Sequence, residues 1–194
     1  KSLGGVFSGD RYYFGPQIDP DIVFRSNEDF TISALAVSYF GSGNRAFFVG
    51  TPISSGGNGT IAMGIQSGGA RQIALAPGTG TGPSLSWTGP TVVTNTIMRY
   101  DLCRVNGLCF AFFDGVPASG GSGVPVAGAG TFVQGGKLSI GGVGEYTGGG
   151  NGGTYGERWS GTVEKFVFLK GIGLYTAAFD PYDRRPFVWG KVRR

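Results

Sequence analysis

The chain has 194 residues, 40% of them hydrophobic and 15 of them Phe, enough to build one sizeable core. Glycine stands at 39 residues, far above the usual share of about 7%; so much Gly excludes a mainly helical protein, since few windows can sustain a 3.6-residue period. The formal charge of +4 resides in the acid-free last eleven residues, where Arg184, Arg185, Lys191, Arg193 and Arg194 leave the rest at −1 and exclude a nucleic-acid-binding face spread over the body.

Taken in order, the chain reads as strands separated by Gly-rich turns. The run from Phe30 to Phe40 alternates with period two, the mark of a half-buried strand. Gly41 to Asn44 turns the chain into Ala46 to Gly50, and Gly56 to Gly59 loops into Thr60 to Ile65. Arg71 to Ala76 follows as a hairpin partner. Pro77 to Pro90 reads as a Gly/Pro-rich loop carrying Trp87, and Thr91 to Thr96 as a short strand. Arg99 to Asp114 forms a hairpin about Asn106-Gly107, the strongest short hairpin signal, and ends at a second turn pair, Asp114-Gly115. A long loop from Ala118 to Gly130, a short strand from Lys137 to Ile140, Gly-rich residues 141–156 and a strand from Gly161 to Leu169 complete the series. No repeat recurs at a fixed spacing. The expected fold is all-β, two packed antiparallel sheets in one domain over residues 1–183, with a basic aromatic arm over 184–194. No apolar run is long enough for a membrane-spanning helix, and the first thirty residues lack a signal-peptide core. The chain starts at Lys1 rather than Met, which fits either trimmed numbering or a removed leader.

The two cysteines lie in the two arms of the hairpin, and loop length decides their relation. A two-residue turn sets Cys103 against Phe110 and Cys109 against Arg104. A three-residue loop would set Cys103 against Cys109 and allow a cross-strand disulfide. The other reading is two buried free thiols.

Several phrases, in this order, resemble the concanavalin A-like, laminin G-type jelly rolls: Asp29 to Val37, Phe110 to Gly115, Ile140-Gly141-Gly142 and Gly161 to Phe166. The segment from Lys170 to Pro181, with its Tyr175-Thr176-x-x-Phe179-x-Pro181 phrase, is similar to the C-terminal signature of such domains in tailed-phage structural proteins. The resemblance spans about Asp10 to Pro181. It implies a two-sheet sandwich whose concave face and rim loops form the usual ligand surface. Two departures stand out: the loops are richer in Gly, and Glu164-Lys165 occupies a place where the family often has paired acids, which weakens any inherited ion site there.

The candidate ligand-binding residues are Tyr146, Tyr155, Asn151 and Trp87, in or beside Gly-rich loops, with Asn95 and Thr154 as further hydrogen-bonding groups and Trp159 as a core residue. Aromatic faces there would stack on sugar rings. Catalytic residues are not expected. The chain has no His, removing the commonest general base and every Ser-His or Cys-His pair. Its twelve acids are scattered, and Asp19 and Asp21 flank Pro20 in an irregular segment rather than sharing a strand face. No zinc site is expected. A structural calcium is the one cofactor kept open, with Asp10, Asp19, Asp21, Asp114 and Glu145 as available carboxylates. The arm residues Arg184, Arg185, Phe187, Trp189, Lys191, Arg193 and Arg194 read as a partner-docking segment or as a solvated terminus. Two non-enzymatic functions follow. One is a virion structural accessory at a particle surface, a homo-oligomer contacting other virion proteins. The other is a glycan-binding adhesin, or a secreted bacterial binding module, outside the cell.

Overall fold

In a computed structural model, residues 28–39, 61–66, 68–75, 85–118 and 159–184 are described with their side chains, and the remaining strand residues by backbone alone. The strands in chain order are β1 (Leu3–Phe7), β2 (Tyr13–Phe14), β3 (Phe30–Ser38), β4 (Ala46–Gly50), β5 (Thr60–Ile65), β6 (Ala70–Ala76), β7 (Leu85–Thr91), β8 (Ile97–Val105), β9 (Leu108–Phe113), β10 (Val116–Pro117), β11 (Val124–Pro125), β12 (Ser139–Ile140) and β13 (Gly161–Lys170). No helix occurs among the described residues. A seven-stranded sheet runs β1-β13-β3-β8-β9-β10, with β11 also on β9, and a six-stranded sheet runs β2-β12-β4-β5-β6-β7. Every pairing is antiparallel. The expected all-β, two-sheet sandwich is what forms.

The sandwich closes because one phase of each long strand is apolar. Phe30, Ile32, Ala34 and Ala36 of β3, Met98, Tyr100 and Leu102 of β8, and Cys109, Ala111 and Phe113 of β9 face inward. They meet Ile61, Met63 and Ile65 of β5, Ile73 and Leu75 of β6, and Trp87 of β7. Each such large side chain contributes about 1.5–3 kcal/mol on leaving water. Trp159, at the foot of β13, joins this core as expected.

The two-residue hairpin is the register that forms. Asn106 (φ 50°) and Gly107 (φ 83°) make a left-handed pair, and Cys103 stands opposite Phe110 while Cys109 stands opposite Arg104. The primed turn wins because its twist matches that of the flanking strands. Asp114 (φ 52°) and Gly115 (φ 78°) repeat the device between β9 and β10. The register also corrects the disulfide alternative. Cys109 packs in the inter-sheet core and Cys103 on the outer face of the same sheet, so both are free buried thiols.

Two sequence expectations fail between Pro77 and Thr96. Residues 85–91 form β7 rather than loop, and residues 92–96 are a turn rather than a strand. The Gly89-Pro90 pair masks a period-two strand in which Leu85, Trp87 and Gly89 point inward while Ser86, Thr88 and Pro90 are exposed. β7 is the sheet edge, where a Pro costs no ladder bond. Gly89 is needed there because a Cβ would collide with the Phe113 ring of the facing sheet. Of the expected strand from Lys137 to Ile140, Ser139–Ile140 forms β12 and residues 137–138 lie outside the described residues, and Val124–Pro125 pairs with β9 inside the expected long loop.

Burial pushes both thiols up to about 12. At pH 8 a disulfide-exchange reagent therefore leaves the native chain unmodified and titrates two thiols once the chain is unfolded; fast reaction of either in the native state would contradict their placement.

Candidate functional site

Part of the outer face of the seven-stranded sheet, around Cys103, Phe110 and Phe112, is covered by the chain itself. After β13 the backbone leaves the sheet at Gly171, whose N–H donates to the Asp29 carbonyl at 2.7 Å, and crosses back over β3, β8 and β9. Leu174 N–H donates to Thr31 Oγ1 at 3.0 Å, and that hydroxyl donates to the Ile172 carbonyl at 2.8 Å. At the far end Phe179 N–H donates to the Gly115 carbonyl at 3.0 Å. Gly173 and Gly115 lie so close to the backbone of Arg104 and Phe179 that a Cβ would clash at either. Beneath this strap lies a second apolar cluster of Cys103, Phe110, Phe112 and Tyr175, with Val105, Leu174 and Phe179 against it. Tyr175 and Phe179 stack at 3.6 Å between centroids, and both meet Phe112 edge-on.

Arg99 holds the strap down. Its side chain is 3% exposed on the outer face of β8. Arg99 Nε donates to Asp101 Oδ2 at 2.9 Å, and Nη2 to Asp101 Oδ1 at 3.1 Å and to the Tyr175 hydroxyl at 3.2 Å. Nη1 donates to the strap carbonyls of Pro181, at 3.0 Å, and Asp183. The guanidinium carbon lies 4.8 Å from the Phe179 ring centroid. Ser33 Oγ donates to Asp101 Oδ1 at 2.5 Å. Burial opposes the Arg99 charge, yet the hydrogen bonds and charge of Asp101 and Tyr175 outweigh it and raise its pKa. Burial pushes the Asp101 carboxyl upward against the pull of Arg99 and Ser33, and lifts the Tyr175 phenol to about 12. This is a recognition site whose occupant is part of the same chain.

A second buried arginine ties the two sheets. Arg71 comes from the inward phase of β6, lies 5.2 Å from the Phe113 ring centroid and 5.8 Å from that of Tyr100, and reaches Asp114 with Nη1–Oδ2 at 2.6 Å. The other Asp114 oxygen accepts the Arg99 backbone N–H at 2.8 Å. Asp114 is thus engaged by the fold, and the other carboxylates kept open for calcium, Asp10, Asp19, Asp21 and Glu145, lie outside the described residues. Among the described residues, no three potential ligands cluster for a metal.

Among the described residues, an exposed rim lies at the sandwich end where β3 and β7 finish and β8 and β13 begin. The turn 92–96 is fixed there by Asn95 N–H donating to the Ser38 carbonyl and Val92 N–H to the Gly69 carbonyl, both at 2.8 Å. Asn95 adopts φ 58°, a left-handed conformation that Asn tolerates, and presents an exposed amide between exposed Thr94 and Thr96. Beside it Tyr39 is 50% exposed, its N–H held by the Ser160 carbonyl at 2.9 Å, and Val93 is exposed as well. An aromatic face, an aliphatic patch and an uncharged donor–acceptor group thus share one rigid rim.

Of the sequence-derived ligand residues, Trp87 is corrected: at 4% exposure it fills the core from β7 and offers no ring to a ligand. Asn95 does stand on the rim. Tyr146, Asn151, Thr154 and Tyr155 lie outside the described residues, as do arm residues Arg185, Phe187, Trp189, Lys191, Arg193 and Arg194; Arg184 is described and exposed. Tyr39 was missed because it lies inside the alternating run from Phe30 to Phe40 and reads as one more strand residue, whereas β3 stops at Ser38. Arg71 carried a signal, a charge in an otherwise apolar phase of β6.

No protein-family model matches the sequence, and neither does any curated protein. Solved structures do match. The CBM40 domain of the Ruminococcus gnavus IT-sialidase superposes with a TM-score of 0.57 at 13% identity, over 77% of this chain and 79% of that one. That domain was also solved bound to α2,3- and α2,6-sialyllactose. Domains LG4-5 of the mouse laminin α1 chain give 0.53 at 14% identity, over 84% of this chain and 39% of that one. The heptameric SAP-like pentraxin of Limulus polyphemus gives 0.50 at 15% identity, over 88% and 77%. At such identities the likeness shows the fold alone, a concanavalin A-like, laminin G-type jelly roll.

Replacing Arg99 by Leu leaves Asp101 buried and unpaired, and lowers unfolding stability by about 3–5 kcal/mol. The double variant Arg99→Leu/Asp101→Leu loses less, since no uncompensated charge remains. Denaturant titration of the three proteins checks the order.

Proposed function

We propose that this chain is a non-enzymatic, lectin-like binding module that takes a glycan at the rim formed by Tyr39, Val93 and Asn95. The observation that carries the reading is the coincidence of a half-exposed aromatic ring and an amide on a turn fixed from two sides. Sugar rings offer apolar C–H faces to aromatic surfaces and hydroxyls to amides, and a preset turn binds them without first being ordered. The CBM40 domain bound to sialyllactose supports the reading by analogy of fold. Two of the described carboxylates, Asp101 and Asp114, are engaged by Arg99 and Arg71, which speaks against their acting as a hydrolytic carboxylate pair.

A setting outside the cell or on a virion surface suits such a module, because a homo-oligomer would multiply weak single sites. The phage-like phrase from Tyr175 to Pro181 lends this setting little, since here it serves to cover a sheet.

A glycan array probed with the full chain, followed by calorimetry on the best ligand, tests the proposal. Tyr39→Ala and Asn95→Ala are each expected to weaken that ligand about tenfold while circular dichroism stays unchanged, a loss of about 1.4 kcal/mol. Absence of binding to every glycan, or binding that neither substitution touches, would refute it.

A further inference from the structure

Beside the rim, three neighbouring strands set out the outer face of the seven-stranded sheet in short rows. In the rim row Tyr39 donates its N–H to the Ser160 carbonyl on one side, and Asn95 donates to the Ser38 carbonyl on the other. In the next row Val37 stands between Ile97 of β8 and Thr162 of β13. The row after that is Leu35, between Arg99 and Lys165. Ala34 and Ala36 pack in the core, so Leu35, Val37 and Tyr39 share the outward phase. Leu35 and Val37 are half-buried, and Ile97 is 61% exposed. The open surface stops at Arg99, which binds the Pro181 and Asp183 carbonyls of the strap.

The rim therefore leads directly onto an aliphatic step. Tyr39 and Val37 are two strand residues apart, about 7 Å, a reach that one sugar and its substituent can span. Val37 and Ile97 offer carbon alone. A hydroxyl laid on them loses water and gains no partner, whereas a methyl group gains from the contact. The cross-strand hydroxyl beside them, that of Thr162, already donates to Glu164 at 2.9 Å. An acetamido substituent would bring an N–H and a C=O onto this carbon surface along with its methyl. A methyl joined directly to the sugar ring brings no polar atom there.

Resting on the glycan reading above, we propose that the site selects a 6-deoxyhexose. Its ring lies on Tyr39, its hydroxyls meet the Asn95 amide, and its C6 methyl covers Val37 and Ile97. The aromatic ring supplies affinity for sugars in general, and the aliphatic step supplies the choice among them.

Calorimetric titration of the full chain with two pairs of methyl glycosides tests the choice. The members of each pair, L-fucose with L-galactose and L-rhamnose with L-mannose, differ only by the C6 hydroxyl. In at least one pair the deoxy member is expected to bind about tenfold more tightly, the lower end of what one methyl contributes in an apolar contact. Ile97→Ser and Val37→Thr are each expected to shrink that preference several-fold. Equal binding within both pairs overturns the proposal, as does a preference that survives both substitutions. Tighter binding of a methyl N-acetylglucosaminide than of either deoxy sugar overturns it as well. If no sugar binding depends on Tyr39 and Asn95, the glycan reading fails and this inference with it. Binding that depends on both residues yet ignores the C6 hydroxyl removes this inference alone.

Discussion

Arg99 occupies a position that sheet alternation assigns to solvent, on the outward phase of β8, and is nevertheless buried. A guanidinium without water needs its donors satisfied. Asp101 supplies one partner from its own strand, and Tyr175, Pro181 and Asp183 supply the others from the C-terminal strap. The pair is therefore complete only when the strap is down. Desolvation makes such a pair a weak source of net stability, but removing one member is costly, so its main effect is to specify where the strap goes. The apolar stack of Tyr175, Phe179 and Phe112 adds the hydrophobic gain that the charges do not provide.

This constraint shapes what the protein can recognise. Sandwich faces are natural ligand surfaces, but over the strap's path this one is taken up by the chain's own carbonyls and rings. The proposed glycan site therefore falls at an end of the sandwich, where turns fixed by backbone hydrogen bonds expose Tyr39 and Asn95. Arg71 and Asp114 hold the two sheets together at that same end, so the turns rest on a rigid base.

The legible parts of the fold were those written in local chemistry. Asn106-Gly107 and Asp114-Gly115 need left-handed residues in sequence, and they mark their turns without help from distant contacts. β3 alternates with period two, and β13 reads as a long apolar strand although a bulge between Val163 and Lys165 breaks its alternation. β7 was hidden because Gly89 and Pro90 are breakers in isolation, and become acceptable only through the facing Phe113 ring and the edge position. The strap was recognisable as a phrase, but its role was not. The outward phase of β8, with Arg99 and Asp101, reads as a solvated face, and its cover arrives more than seventy residues later in the chain. The rim was half legible: Asn95 drew notice as a hydrogen-bonding group, whereas Tyr39 gains its exposure from where β3 stops.

The most direct measurement is denaturant unfolding of a chain truncated after Lys170 beside the full-length chain. If the strap completes the sandwich, the truncated chain loses its cooperative transition and binds a hydrophobic dye through the bared Phe110–Phe112 surface. An unchanged midpoint, with no dye binding, would show that the sheet stands without its cover and would contradict the account.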